Sequence, residues 1–237
     1  AEVEQVLAAG IRELYIDTAR GLDVGDGVPT RSEATEEVRR SLEQAAQRMA
    51  AAGDGSKVSL AEEMGRARAA YGEAIRVVRT LMEDVRLGKQ VEIAQVQPTV
   101  EKITASVLRN SSAMLTMRRL AALGDQTFEH SVGVCTILTA FAKSSEVTSD
   151  SIHDIALGGL IHDVGKMRVA AAVLNKPARL TEEEYVHMKS HVVLGLDFIR
   201  QQPGVPALAL EPLALHHERI DGSGYPKGLK GSEISRI

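Results

Sequence analysis

From Leu60 onward the chain repeats apolar residues every three or four positions, and this helical period constrains its fold more than any other feature. Tyr71, Val78 and Val85 lie on one face of the first such helix, and charged residues lie between them. Gly88 predicts the end of this helix, because glycine is favoured just past a helix C-terminus. Such a long amphipathic helix needs a partner surface, so it either packs on the following domain or forms a dimer stalk.

The remaining sequence continues the same helical period. A second helix is predicted from Pro98 through Val107, extending toward Leu123. A further helix opens with Thr181 as its N-cap and Glu184 three residues later, which is a capping box. Strand-like alternation is absent from this half, so the sequence predicts a mostly α protein. The other helical segments are "TFEHSVGVCTILTAFAKS", "DSIHDIALGGLIHDVGK" and "VPALALEPLALHHER".

The start of the chain has a different character. Residues 1–28 predict a short helix and the strand "ELYID", a small α/β remnant whose sheet partners we expect upstream. Residues 29–58 are dominated by Gly, Ser, Ala and charged residues without a sustained apolar face, which predicts a flexible or partly helical linker. The first residue is Ala and not Met, so we expect a piece of a longer protein.

Composition excludes several classes of function. The net charge of −4 gives no general reason to expect binding to a nucleic acid polymer or to an anionic membrane. Aromatic residues make up only 3% of the chain, so a stacking surface for single-stranded nucleic acid is not expected. One cysteine and no long apolar run predict a cytoplasmic protein without a disulfide framework.

Histidines occur where helices end or turn inward. His162 and Asp163 follow a wholly apolar run, so the Asp163 carboxylate is buried unless a cation compensates its charge. Imidazoles together with a carboxylate are ligands for divalent metals such as Fe, Mn, Zn or Co, and one Asp can bridge two such ions. The five candidate histidines are His130, His162, His191, His216 and His217.

Three other residues favour structural roles. His153 is out of phase with His162 and lies next to Asp154, and His187 lies among charged neighbours, so both are interpreted as structural or solvated. Cys135 lies among apolar residues and is predicted to be a buried, inert thiol.

An ordered set of motifs carries a resemblance to a known family. His162, Asp163 and Lys166 are followed by "LNKPARLTEEEYVHMKSH" and then by "HHERIDGSGYPKGL". In this order they resemble the HD-GYP family of bacterial cyclic di-GMP phosphodiesterases, within the HD domain superfamily. The match covers about half of the chain, from His130 to the C-terminus. The segment "GIRELYIDTARGLDV" is similar to the tail of a small N-terminal domain, possessed by some members, that precedes the HD-GYP domain.

The resemblance implies an HD-type helical bundle over residues 111–237, lacking its C-terminal part, behind linking helices at 59–110. It also implies site residues, position by position. Asp163 matches a bridging metal ligand and a catalytic residue, and Lys166 matches a lysine that contacts the substrate phosphate. The matched metal ligands are His130, His162, Asp163, His191, His216 and His217, and the matched substrate-binding residues are Lys166, Gly222, Gly224 and Tyr225.

Two departures from the family pattern bear on the metals. Members with three metals use a glutamate where this chain has Gln126, and the adjacent Asp125 would point about 100° away on a regular helix. Members also supply an aspartate ligand from beyond the point at which this chain ends. We therefore expect two divalent ions, iron or manganese first, with zinc, cobalt or nickel as alternatives.

The activity that the resemblance implies is hydrolysis of cyclic di-GMP to linear pGpG and then to GMP, in bacterial second-messenger signalling. Two alternatives remain open from the sequence. One is a catalytically weak cyclic di-GMP sensor or scaffold, which Gln126 keeps open. The other is a broader HD-domain nucleotide phosphohydrolase, against which the Gly-Tyr-Pro turn argues. A homodimer or a signalling partner, bound through the helices, is also expected.

Overall fold

The computed structural model describes residues 58–120, 126–145 and 147–235 of the chain. Within these ranges the regular structure is helical, and one isolated antiparallel bridge joins Asp221 to Lys230. The prediction of a mostly α fold is confirmed for this part of the chain. None of its helices is both long and apolar enough to cross a membrane.

The described α-helices are numbered in chain order. They are α1 (Leu60–Arg86), α2 (Ile93–Arg109), α3 (Ser111–Leu120), α4 (Gln126–Ser144), α5 (Ser149–Ile161), α6 (Ala171–Leu174), α7 (Glu182–Lys189), α8 (His191–Arg200) and α9 (Leu210–Leu215). Short 3-10 turns lie at Val164–Arg168, between α5 and α6, and at Gly231–Glu233, beyond α9.

The α/β remnant predicted for residues 1–28 lies outside the described residues, as does the linker predicted for residues 29–58 apart from Val58. The helices of residues 59–110 share one hydrophobic core with those that follow, because buried residues of α1 and α2 cluster with buried residues of α4, α5 and α8. The domain boundary at residue 111 stays a prediction.

Helix α1 is the long amphipathic helix that the sequence predicts. It begins with a capping box, in which the Ser59 side chain accepts from the Glu62 N–H and the Glu62 carboxylate accepts from the Ser59 N–H at 2.8 Å. It ends just before Gly88, whose φ of 68° favours glycine. Its buried face packs on α2, α3 and α4. Of the two partner surfaces considered for this face, the helices that follow it in the chain therefore supply one.

Helix α2 begins earlier than predicted, at Ile93, and ends at Arg109. The prediction of one helix running on toward Leu123 is wrong at Asn110, whose extended backbone (φ −156°, ψ 102°) separates α2 from α3. The Asn110 side-chain amide donates to the Val58 carbonyl at 3.1 Å. Periodicity misses this break because the apolar spacing continues across it.

Helices α4 and α5 pack closely and carry the first part of the site. Gly159 on α5 faces α4, where an added Cβ would lie 2.8 Å from Leu138 Cδ1 and 3.2 Å from Cys135 Cα. Glycine therefore permits this close approach. As a result the C-terminus of α5 lies beside α4, which carries His130.

Candidate metal centre

Asp163 lies at the centre of the candidate site, where α5 ends and a 3-10 turn begins. Its side chain is only 2% exposed. The prediction of one continuous helix through Lys166 is wrong here, because the Asp163 backbone (φ −101°, ψ 5°) leaves the helical region. The turn directs the carboxylate of Asp163 into the interior and not along the helix surface.

Gly165 explains why the chain turns at this point. A Cβ at Gly165 would overlap the His191 carbonyl oxygen and would lie 2.6 Å from the Gly195 nitrogen. Only glycine allows the turn to rest against the backbone of α8 this closely. The contact brings Asp163 next to His191, the first residue of α8.

One group of histidines faces Oδ2 of Asp163. The Nε2 atoms of His130 on α4 and His162 at the C-cap of α5 lie 3.6 and 3.1 Å from this oxygen. These two nitrogens are 3.3 Å apart. His130 is 48% exposed and His162 is buried, so this side of the site is open to solvent at His130.

A second group faces Oδ1 of Asp163. The Nε2 atoms of His191 and His216 lie 3.5 and 3.7 Å from this oxygen and 3.2 Å from each other. The His217 ring completes the group, with its centroid 5.1 Å from that of His191 and 4.2 Å from that of His216. In each group the potential ligand atoms lie within 4.8 Å of one another, a spacing that could hold a metal ion.

Backbone carbonyls fix the orientation of three histidines. The Nδ1 atoms of His162, His191 and His216 lie 2.8, 2.8 and 2.9 Å from the carbonyl oxygens of Gly159, Met188 and Pro212. A carbonyl only accepts, so each Nδ1 carries the hydrogen and donates it. This arrangement turns each Nε2 toward Asp163, as in sites where an outer hydrogen bond orients a metal-binding histidine.

Burial keeps the second group of histidines neutral. Desolvation lowers the pKa of His216 to about 3 and that of His217 to about 4, and neighbouring histidines add to both shifts. Desolvation also lowers the pKa of His191. Near pH 7 these imidazoles are therefore uncharged, which is the form that binds metals.

The Oδ1 oxygen of Asp163 shows that these residues fit a metal ion. It is buried and has no hydrogen-bond partner among the described residues. Its neighbours His191 and His216 use their Nδ1 hydrogens on carbonyls, so their Nε2 lone pairs face a carboxylate oxygen. This arrangement of acceptors is unfavourable unless a cation lies among them.

The Oδ2 oxygen of Asp163 is satisfied by the protein itself. The Lys166 ammonium donates to it at 2.7 Å from the 3-10 turn. Burial by itself would raise the pKa of the Asp163 carboxyl, but the adjacent His162 and Lys166 side chains outweigh burial and hold that pKa well below its usual range. Asp163 is therefore ionised, and Lys166 lies directly at the centre.

The Gly-Tyr-Pro turn folds back over the second group of histidines. Tyr225 stacks on the His217 ring, with centroids 4.4 Å apart and an angle of 19° between the rings, and its N–H donates to the His217 carbonyl at 3.1 Å. Gly224 packs so closely on the backbone of residues 217–219 that a Cβ would overlap it, and Gly222 has a φ of 79°. The turn thus lies against the histidines, and its role as a wall of the substrate pocket stays a prediction.

Glu218 holds this turn in place, a function that the sequence analysis did not identify. One carboxylate oxygen accepts from the Lys227 N–H at 2.7 Å and the other from the Leu229 N–H at 2.9 Å. The sequence feature that could have indicated this function is the position of Glu218 directly after the paired histidines. A carboxylate there can accept from the loop backbone without binding a metal.

The residues interpreted as structural lie outside both groups. His187 accepts from the Ala170 N–H at 3.3 Å, and neither His187 nor His153 belongs to a metal-sized cluster in the described part of the chain. Cys135 is fully buried, and burial raises the pKa of its thiol to about 12. Gln126 is the first residue of α4, and Asp125 lies outside the described residues.

A comparison with protein families identifies the larger part of the chain. A family model described as HD domain matches residues 98–236, more than half of the chain. The chain belongs to the HD domain family. Within this HD domain protein, a second model, described as a domain of unknown function (DUF3391), matches residues 1–96. The predicted family resemblance is confirmed.

Curated relatives of this HD domain protein are named as cyclic dinucleotide phosphodiesterases. Cyclic di-GMP phosphodiesterase PA4108 of Pseudomonas aeruginosa is 33% identical over 237 residues, which is 100% of this chain and 55% of the relative. A cyclic di-GMP phosphodiesterase of Thermotoga maritima is 34% identical over 110 residues, covering 46% of this chain and 30% of the relative.

A third relative, 3'3'-cGAMP-specific phosphodiesterase 1 of Vibrio cholerae, is 35% identical over 124 residues, covering 52% of this chain and 28% of the relative. The chain thus spans about half of the length of the Pseudomonas protein and less than a third of the other two.

Proposed function

We propose that this HD domain protein is a metal-dependent phosphodiesterase that hydrolyses cyclic di-GMP to linear pGpG and then to GMP in bacterial signalling. The observation that carries the proposal is the buried Asp163 carboxylate, whose two oxygens each face a separate group of histidines. The names of the relatives support cyclic dinucleotides as the class of substrate.

The two groups of ligands favour two ions over one. In our proposal, His130 and His162 hold one ion and His191, His216 and His217 hold the other, with Asp163 contributing to both. Mixed imidazole and carboxylate ligands suit iron or manganese, with zinc, cobalt or nickel as alternatives. When bound, such ions lower the pKa of a water molecule and neutralise charge on a phosphodiester.

The residues around the ligands have separate tasks in this proposal. Lys166 has its ammonium at the centre, where it can stabilise negative charge on the scissile phosphate. Gly222 and Gly224 let the loop backbone approach the substrate, and Tyr225 forms the pocket wall beside His217. Asp163 and Lys166 are therefore our catalytic candidates.

A sensor role is the principal alternative, because Gln126 occupies the position of a glutamate ligand in members with three metals. The two readings differ in one measurable property. A phosphodiesterase turns over cyclic di-GMP when its metals are bound, whereas a sensor binds the nucleotide and leaves it intact. The expected cytoplasmic location and a helix-mediated partner or homodimer stay predictions.

The test combines metal analysis with hydrolysis on the full chain, purified anaerobically. We expect about two metal ions per chain and hydrolysis of cyclic di-GMP, with 3'3'-cGAMP and linear dinucleotides as competing substrates. Asp163→Asn and His130→Ala should each lower both metal content and turnover, by at least about a hundredfold in turnover.

His153→Ala is the matched control, because it removes a histidine that lies outside both groups. It should keep the metal content and turnover of the wild-type protein. Turnover retained by Asp163→Asn in metal-analysed protein would remove the basis of the proposal, and metal-loaded wild type that binds cyclic di-GMP without cleaving it would favour the sensor.

A further inference from the structure

Lys189, the last residue of α7, is a partly buried cation at the edge of the candidate metal centre. Its ammonium lies 5.0 Å from the centre of the Tyr185 ring and 5.8 Å from that of the Tyr225 ring. Tyr225 in turn stacks on His217 at 4.4 Å. These contacts place the Lys189 ammonium within about 10 Å of the His217 ring.

The Lys189 ammonium lacks a carboxylate partner within 4.0 Å among the described residues. Several other lysines do have one, and their pairs are Lys89 with Asp84, Lys102 with Glu73, Lys166 with Asp163 and Lys176 with Glu184. No carboxylate of the described residues therefore neutralises its charge. The faces of the Tyr185 and Tyr225 rings attract the ammonium only weakly and carry no net charge.

The surroundings of Lys189 suit an anionic ligand. The ammonium has three hydrogen-bond donors. The two tyrosine rings contact it through their faces, so their hydroxyl oxygens do not accept these hydrogens. Its helix is fixed at the other end by the Thr181 and Glu184 capping box. The ammonium therefore lies near the centre without a carboxylate partner among the described residues.

We propose that Lys189 binds the second phosphodiester of the cyclic dinucleotide, the one that is not being cleaved, an inference that rests on the proposed function. A cyclic dinucleotide carries two phosphodiesters in one ring. When one of them lies at Asp163 and Lys166, the ring holds the other away from that centre, where it needs a cation of its own. Lys189 supplies that cation from the rim beside Tyr225.

The test compares a substrate that has two phosphodiesters with a substrate that has one. The full chain, loaded anaerobically with iron(II) or manganese, is assayed on cyclic di-GMP and on bis(p-nitrophenyl) phosphate. Lys189→Met should raise the KM for cyclic di-GMP about tenfold, because one charged contact is lost. Its kcat on cyclic di-GMP and its kcat/KM on bis(p-nitrophenyl) phosphate should stay within about twofold of wild type.

Two variants complete the design. Lys189→Arg keeps the charge and should restore most of the affinity for cyclic di-GMP. Lys89→Met is the matched control, because it removes a lysine from a surface pair with Asp84, and it should leave both substrates unaffected.

An unchanged KM for cyclic di-GMP in Lys189→Met would overturn the inference. So would an equal loss on both substrates, because that result means a structural role. Wild-type protein that cleaves bis(p-nitrophenyl) phosphate but not cyclic di-GMP would instead overturn the proposed function, and the inference with it. The one-phosphate substrate thus separates the two failures.

Discussion

At the scale of single residues, the second group of histidines is already in the form that metals require. His216 and His217 have pKa values lowered to about 3 and about 4, chiefly because burial penalises the charged imidazole. An exposed histidine is half protonated near pH 6.5. We therefore expect these two ligands to stay available well below that pH.

The same pKa values predict how stability depends on pH in metal-free protein. Between pH 6.5 and about 4 the unfolded chain protonates His216 and His217 while the folded chain does not, so the free energy of unfolding falls as the pH falls. The slope should reach about 1.4 kcal/mol per pH unit for each histidine. Urea denaturation in EDTA at several pH values measures it.

His217→Gln provides the comparison for this slope. It removes one of the two depressed pKa values, so the pH dependence of the free energy of unfolding should become shallower. Identical slopes in the variant and in the wild type would mean that His217 does not contribute in the way that its burial suggests.

The sequence could specify which residues belong to the site but not how they are oriented. All six predicted ligands, from His130 to His217, lie in the two groups around Asp163. Their ordered motifs carry that information. The Nδ1 hydrogen bonds to Gly159, Met188 and Pro212, and the binding of the loop by Glu218, depend on where helices end in space. A residue pattern does not contain those positions.

At the scale of elements, the helices were predictable and their interruptions were not. The apolar period locates α1, α4 and α5, but it continues across Asn110, Asp163 and Ser190, where the structure breaks the helix or starts a new one. The breaks at Asn110 and Asp163 lie beside tertiary contacts, of Asn110 with Val58 and of Gly165 with the backbone of α8. Two of these breaks, at Asp163 and Ser190, lie beside metal-ligand candidates, so the interruptions are what shape the site.

Gly165→Ala tests the contact between the 3-10 turn and α8. The added Cβ would overlap the His191 carbonyl and the Gly195 backbone, neither of which is a flexible side chain. We expect the free energy of unfolding to fall by at least about 2 kcal/mol. Gly65→Ala is the control, because nothing lies within 4 Å of its Cβ, and alanine there should stabilise α1 by about 0.5–1 kcal/mol.

Urea denaturation of both variants measures this difference. A lower free energy of unfolding in Gly165→Ala together with a higher one in Gly65→Ala would support a close backbone contact at Gly165. A Gly165→Ala variant as stable as the wild type would mean that the turn can move away from α8, and the explanation given for the position of Asp163 would be wrong.

At the scale of the whole described molecule, a partly buried ion pair joins the beginning of α1 to the end of α2. Glu63 is 0% exposed and accepts two hydrogen bonds from Arg109, both at 2.7 Å. Such two-point pairs fix geometry as well as charge. The pair therefore holds the first turn of α1 to the helices that carry the candidate centre.

Glu63→Gln should reveal how much this junction contributes. It keeps the shape of the side chain but leaves the Arg109 charge without a carboxylate, so we expect a loss of about 1.5–3 kcal/mol in the free energy of unfolding. Glu73→Gln breaks the exposed pair with Lys102 and should cost less than about 1 kcal/mol. Equal effects, measured by urea denaturation, would argue against a special junction at Glu63.

Three of the candidate ligands also stabilise the helix ends at which they lie. His162, His191 and His216 each donate to a carbonyl in the last turn of a helix, namely α5, α7 and α9. Replacing one of them therefore removes a helix cap together with a ligand. A relative without catalytic activity would still lose stability if these histidines were replaced. Their presence in a relative therefore indicates a preserved fold as much as a preserved activity.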